Sequence, residues 1–156
     1  MRLVWWAAFW IFVIDQITKV WVVHVLDLKN VLRLEVLPPY LNFHMAWNYG
    51  INFGLLAGEA PLTRWILISV ALGIVLFVVV WMRREPPGKA GLISAGLLIG
   101  GALGNVVDRV LYGAVADFLN MSCCGFNNPF AFNVADIAIF AGALGLVLFP
   151  GVKPSK

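Results

Sequence analysis

Charge is what this chain has least of: 12% of its 156 residues are Asp, Glu, Lys or Arg, while 62% are hydrophobic. A soluble domain carries about 25% charged residues, so the shortage excludes an ordinary water-soluble fold and predicts an integral membrane protein. Histidine is nearly missing too. His24 and His44 are distant in sequence and cannot supply the clustered ligands of a metal centre, so neither a metal nor a cofactor is expected. No basic patch exists, because the small positive excess is divided among segment ends, and nucleic-acid binding is not expected. Cysteine is limited to Cys123 and Cys124. Adjacent cysteines could close only a strained vicinal bridge, and they are expected to be incidental loop thiols. The N-terminus lacks the small-residue site of a cleaved signal peptide, and its apolar core holds Trp5, Trp6 and Trp10 before Asp15 and Lys19; it is expected to be a retained helix.

What is there instead is apolar length. Four runs approach the roughly 20 residues needed to cross a hydrocarbon core: residues 3–25, 62–82, 90–111 and 132–149. These predict a mainly α membrane protein of four transmembrane helices, a single membrane domain over residues 1–156. Arg2, Arg83, Arg84, Lys89, Lys153 and Lys156 fall on one side of that arrangement, which places both termini in the cytoplasm. Loops 26–61 and 112–131 then lie outside.

The first exterior loop alternates with strand period. Arg33 and Glu35 interleave with Leu32, Leu34 and Val36; after Pro38-Pro39, Leu41, Phe43, Met45 and Trp47 are set on one face, with Asn42, His44, Ala46 and Asn48 on the other. A small antiparallel sheet on the outer membrane surface is predicted. His44 reads as a strand-surface residue. Gly50 permits the turn that ends the sheet, and Gly54 and Gly58 keep the following link adaptable. The second span has no ionisable residue after Arg64 and reads as scaffold. The third carries Gly96, Gly100 and Gly104 four apart, a stripe that lets helices pack closely.

Ionisable groups set in apolar segments are costly unless paired, solvated or used. Asp15 and Lys19, at i and i+4, share one helix face and are expected to form a structural ion pair, with Gln16 and Thr18 adding hydrogen-bonding capacity. Asn105, Asp108 and Arg109 form a polar face on the third span. Counting from the inner anchors puts Asp15 roughly 20 Å, Asn105 roughly 24 Å and Asp136 roughly 21 Å up their helices, one polar layer near the outer edge of the core. Asn133 and Asp136 taken alone are explained by helix capping, and Asp117 alone by a solvated loop. Two carboxylates in that layer could instead share a proton and activate water. A proton- or ion-coupled transporter and a non-enzymatic lipid-binding protein remain alternatives.

Five strings in order are similar to those of the lipoprotein signal peptidase (signal peptidase II) family of bacterial membrane aspartyl proteases. They are Asp15-Gln16-Ile17-Thr18-Lys19; Asn48-Tyr49-Gly50 with Phe53; Gly100-Gly101-Ala102-Leu103-Gly104-Asn105 through Asp108-Arg109; Val115-Ala116-Asp117-Phe118; and Phe132-Asn133-Val134-Ala135-Asp136. The resemblance implies that Asp117 and Asp136 are catalytic. It implies that Asn48, Gly50, Asn105, Asp108, Arg109 and Asn133 shape the site or hold substrate, and that Asp15 and Lys19 support it. It further implies a bacterial cytoplasmic-membrane enzyme with its site near the exterior face. The implied substrate is a diacylglyceryl-modified prolipoprotein met in membrane lipid and cut just before the lipidated cysteine, a task for which a monomer suffices. Ile51 and Asn52 stand where the family usually has two alanines, which bears on the exterior flap.

Overall fold

The computed structural model describes residues 1–50, 61–123, 125 and 128–150. Ile51, Asn52, Phe53, Gly54, Gly58, Cys124, Lys153 and Lys156 lie outside the described residues. The chain runs α1 (Arg2–Val20) with a π-helical continuation (Trp21–Val25), α2 (Leu28–Val31), β1 (Arg33–Leu37), β2 (Leu41–Asn48), α3 (Pro61–Arg84), α4 (Lys89–Tyr112), β3 (Val115–Met121) and α5 (Val134–Leu148).

Among the described residues, three helical stretches, Arg2–Val25, Leu62–Arg84 and Lys89–Tyr112, are long and apolar enough to cross a membrane. The fourth predicted span is shorter than expected. α5 has 15 residues, a length of about 22 Å against a core of about 30 Å. The cause is local: Phe132 is taken by the sheet, where its N–H donates to Leu119 O at 3.0 Å and its carbonyl accepts from Leu119 N at 2.8 Å. Asn133 then caps the helix, so Phe132 cannot be part of it.

α4 packs against α1, α3 and α5. Glycine permits this on two sides at once. A Cβ at Gly100 would strike the backbone of Ala8 on α1, and one at Gly101 would lie 2.5 Å from Ala135 O on α5. Val4, Val78, Met82, Ile99 and Leu146 fill the core between the helices. Large apolar side chains such as Trp6, Phe77, Phe140 and Val147 face outward, as expected of a bundle whose solvent is hydrocarbon.

The first loop supplies β1 and β2 as its alternation predicts, but the sheet has a third strand, in order β1-β2-β3, all antiparallel. β3 comes from the second predicted loop, residues 112–131, so the expectation of a sheet built on the first loop alone is corrected. The strand escapes a period-of-two reading because Val115, Ala116, Asp117 and Phe118 are all buried, leaving no polar face to alternate with. Phe43 and Met45 pack with Phe118 and with Val22 and Val23 of the π-helical turn. A bulge between Phe43 and Ala46, opposite Leu119 and Asp117, interrupts the alternation. Trp47 therefore leaves the buried set and stands 37% exposed, its ring 5.6 Å from that of Tyr112. His44 is exposed on the strand, as expected.

α4 ends at Gly113, whose φ of +81° suits glycine and whose N–H bonds to Arg109 O at 3.1 Å. That reversal turns the chain directly into β3. It brings Asp117 back beside the last turns of α4. Beyond β3, Cys123 is disulfide-bonded, which corrects the expectation of incidental loop thiols.

Candidate active site

Three elements meet where the polar layer was expected: the end of α4, strand β3 and the first turn of α5. Asn133, buried just ahead of α5, accepts the Asp136 N–H on its Oδ1 at 2.9 Å, an ordinary N-cap. Its amide nitrogen does a second job, donating to Asp117 Oδ1 at 2.6 Å. Asn48, at the end of β2, donates to the other oxygen of Asp117 at 3.0 Å, while its own Oδ1 accepts from Gly50 N at 3.1 Å. Asn105 donates to Asp136 Oδ1 at 2.9 Å. Its Oδ1 accepts from Lys19 at 3.2 Å and from Asn133 at 3.3 Å.

These bonds fix which way each asparagine faces. An amide oxygen occupied by an ammonium or a backbone N–H cannot be exchanged for the NH2 end without setting donor against donor. All three asparagines therefore present N–H groups to the two aspartates. Asn105 and Asn133 also touch each other, so the carboxyl groups of Asp117 and Asp136 are joined by a continuous amide bridge.

Asp117 is 2% exposed. Burial, then the neighbouring Asp136 carboxylate, push its pKa from the ordinary carboxylate range up to about 7, against the opposing pull of the Asn48 and Asn133 hydrogen bonds. A carboxyl so placed can hold a proton near neutrality. Arg109 Nη2 donates to Gly50 O at 2.9 Å and Nη1 to Asn105 O at 3.4 Å, tying the turn after β2 to α4.

Behind this bridge lies an ion cluster. Lys19 Nζ is 2.8 Å from Asp15 Oδ2 and 2.8 Å from Asp108 Oδ2. The expected Asp15–Lys19 pair is thus present, with Asp108 as a third member. Asp108 shares the α4 end with Asn105 and Arg109 but reaches Lys19. Gln16 donates to Asp15 at 3.1 Å and to Asp108 at 3.3 Å. All ten residues singled out in the sequence converge on this one end of the molecule. Two contributors were not foreseen, the backbone N–H groups of Ala116 and Ala135, which bond Asp108 Oδ2 at 3.2 Å and Asp15 Oδ1 at 2.9 Å. A signal for them exists: the tripeptide Val-Ala-Asp occurs twice, at 115–117 and 134–136.

Membrane-length apolar helices, topped by a sheet that presents a buried carboxyl to a second carboxyl at a helix N-terminus, define a membrane protein with a two-carboxyl centre. Comparison with known proteins narrows this. The family model for signal peptidase (SPase) II matches residues 7–150. A lipoprotein signal peptidase of Methylorubrum extorquens (strain PA1) is 42% identical over 135 residues, 86% of this chain and 77% of that protein. One from Shewanella amazonensis (strain ATCC BAA-1098 / SB2B) is 37% identical over 152 residues, 97% of this chain and 88% of that protein. A bacterial membrane enzyme solved by the in meso method at 2.3 Å resolution superimposes with a TM-score of 0.81 at 26% identity, covering 95% of this chain and 87% of that one. The chain belongs to the signal peptidase II family.

Proposed function

We propose that this protein is an aspartic endopeptidase of a bacterial cytoplasmic membrane. It removes the signal peptide from diacylglyceryl-modified prolipoproteins, cutting just before the lipidated cysteine. The observation that carries the aspartic reading is the amide bridge: Asn48 and Asn133 hold both oxygens of Asp117, and Asn105, in contact with Asn133, holds Asp136. Neutral donors orient both carboxyl groups without supplying a counter-charge, and burial leaves one proton shared between them.

The ionised member takes a proton from a water that adds to the scissile carbonyl carbon. The protonated member gives its proton to the carbonyl oxygen as the tetrahedral intermediate forms. Collapse breaks the C–N bond, and the leaving amine takes up the proton first removed from water. The titration belongs to the pair, and no metal takes part. Arg109, through Gly50, holds the turn after β2 near the pair, where an extended peptide is aligned. Asp15 and Lys19 support this centre from behind.

The reading includes a fourth crossing by α5, short but apolar and carrying exposed Phe140, Leu144 and Val147. Both termini are then cytoplasmic, and the centre sits near the exterior face, where acyl chains reach it from lipid. All the named residues belong to one chain, so a monomer suffices. The test is cleavage of a purified diacylglyceryl prolipoprotein, followed as a mobility shift with chelator present throughout. Wild type cleaves; Asp117→Asn and Asp136→Asn, equally folded, do not. Turnover by either variant, or its loss on chelation of the wild type, overturns the reading.

A further inference from the structure

Lys19 uses all three of its N–H donors, and the three acceptors belong to groups that each reach towards the aspartate pair. One is Asp15 Oδ2 at 2.8 Å, the second Asp108 Oδ2 at 2.8 Å, the third Asn105 Oδ1 at 3.2 Å. An ammonium has three protons, so its position and rotation are fully determined. Lys19 is 5% exposed and Asp15 and Asp108 are no more than 1% exposed, so water does not compete for these bonds.

Followed outward, each bond leads to the pair by a different route. Asp15 holds the N–H of Ala135, the residue before Asp136, at 2.9 Å. Asp108 holds the N–H of Ala116, the residue before Asp117, at 3.2 Å. Asn105, its oxygen pinned by the ammonium, turns its NH2 to Asp136 at 2.9 Å. The two Val-Ala-Asp strings are thus held alike, each by a carboxylate on the peptide N–H preceding its aspartate. Alanine suits both positions, since Ala116 is 2% and Ala135 0% exposed.

The geometry points to Lys19 as the positioning residue for both aspartates, acting on the backbone of each through Asp108 and Asp15 and on the side chain of Asp136 through Asn105. This goes beyond a local ion pair that neutralises Asp15, and it rests on the aspartate-pair reading above. Nothing in the assignment has Lys19 touching substrate.

A charge-neutral triple variant, Asp15→Asn with Lys19→Met and Asp108→Asn, separates positioning from mere structural support. It removes the three buried charges together, avoiding the large penalty of stranding one of them. Folding is followed by thermal melting in detergent, and kcat and KM for the diacylglyceryl prolipoprotein are measured on the folded fraction. Positioning predicts a kcat lower by about 100-fold, the scale of an ångström-sized misplacement, with KM changed less than about 3-fold. A folded triple variant with wild-type kcat overturns the proposal. If the triple variant does not fold, Asp108→Asn alone decides, since it leaves Asp15 and Lys19 as a neutral pair. It predicts a kcat loss of about 10-fold at constant KM, through the weakened hold on Ala116; an unchanged kcat overturns the proposal. Wild type and Asp117→Asn run in the same assay. Turnover by Asp117→Asn brings down the pair and this inference with it, whereas an inactive Asp117→Asn beside a fully active Lys19 triple variant brings down the inference alone.

Discussion

Two sets of carboxyl groups stand one asparagine apart in this molecule, and they are treated oppositely. Asp15 and Asp108 share an ammonium, and their oxygens also accept from Gln16 and from two backbone N–H groups. Asp117 is as deeply buried, yet both its oxygens are met by neutral asparagine amides and its pKa is pushed up to about 7. A full counter-charge quenches a carboxylate and turns it into scaffold. Neutral donors fix its orientation while leaving its proton affinity to be set by burial and by the second carboxyl. The difference between Asp117 and the Lys19 cluster lies in the donors, since the acid and its burial are nearly the same.

The comparison breaks most completely if either carboxyl of the proposed pair is neutralised. Asp117→Asn and Asp136→Asn each lower kcat by at least about 10³-fold with the melting temperature in detergent preserved, because removing one acid–base partner forfeits a contribution of that order.

Next in size is pH. The folded-state pKa of Asp117 lies above its ordinary value, so the folded protein holds this proton more tightly than the unfolded chain. The linked stability is full below about pH 4 and is lost as pH rises through about 7. Cleavage declines over the same upper limb, about tenfold per pH unit once the shared proton leaves. A rate profile flat to pH 9 would contradict this.

The compensated set is sharpened by crowding it. A Cβ at Gly104 would lie 2.5 Å from Asp15 Oδ2, and Asp15 cannot retreat because Lys19 and Ala135 hold it. Gly104→Ala costs about 1–3 kcal/mol by melting in detergent, with a parallel loss of rate. The smallest effect is the control on α3. Gly73→Ala meets nothing within 4 Å, and it leaves cleavage unchanged while raising stability by about 0.5–1 kcal/mol.

Much of this was legible in the chain. Apolar run length found the long helices, alternation found β1 and β2, and the ordered strings held the ten residues that meet at one end of the molecule. What was hidden has physical reasons. β3 is covered on both faces, so Val-Ala-Asp-Phe carries no period to read. The bulge before Ala46 moved Trp47 out of the buried set, and a pattern of alternation cannot announce its own interruption. α5 lost Phe132 to a strand bridge that forms only in three dimensions. Asp108 was placed on the right helix face, but its pairing with Lys19 required knowing how α1 leans on α4, which the Gly100 contact with Ala8 decides.

The hydrogen bond from Ala135 to Asp15 joins residues 120 apart in sequence. A chain emerges from the ribosome N-terminus first, so α1 is made before α5, and Asp15 must wait for this partner. A nascent chain inserted only as far as β3 already contains Asp15, Lys19, Asp108 and Asp117, yet it lacks Asp136 and the peptide N–H that Asp15 awaits. The cluster around Asp117 is thus complete only once α5 has packed against α4.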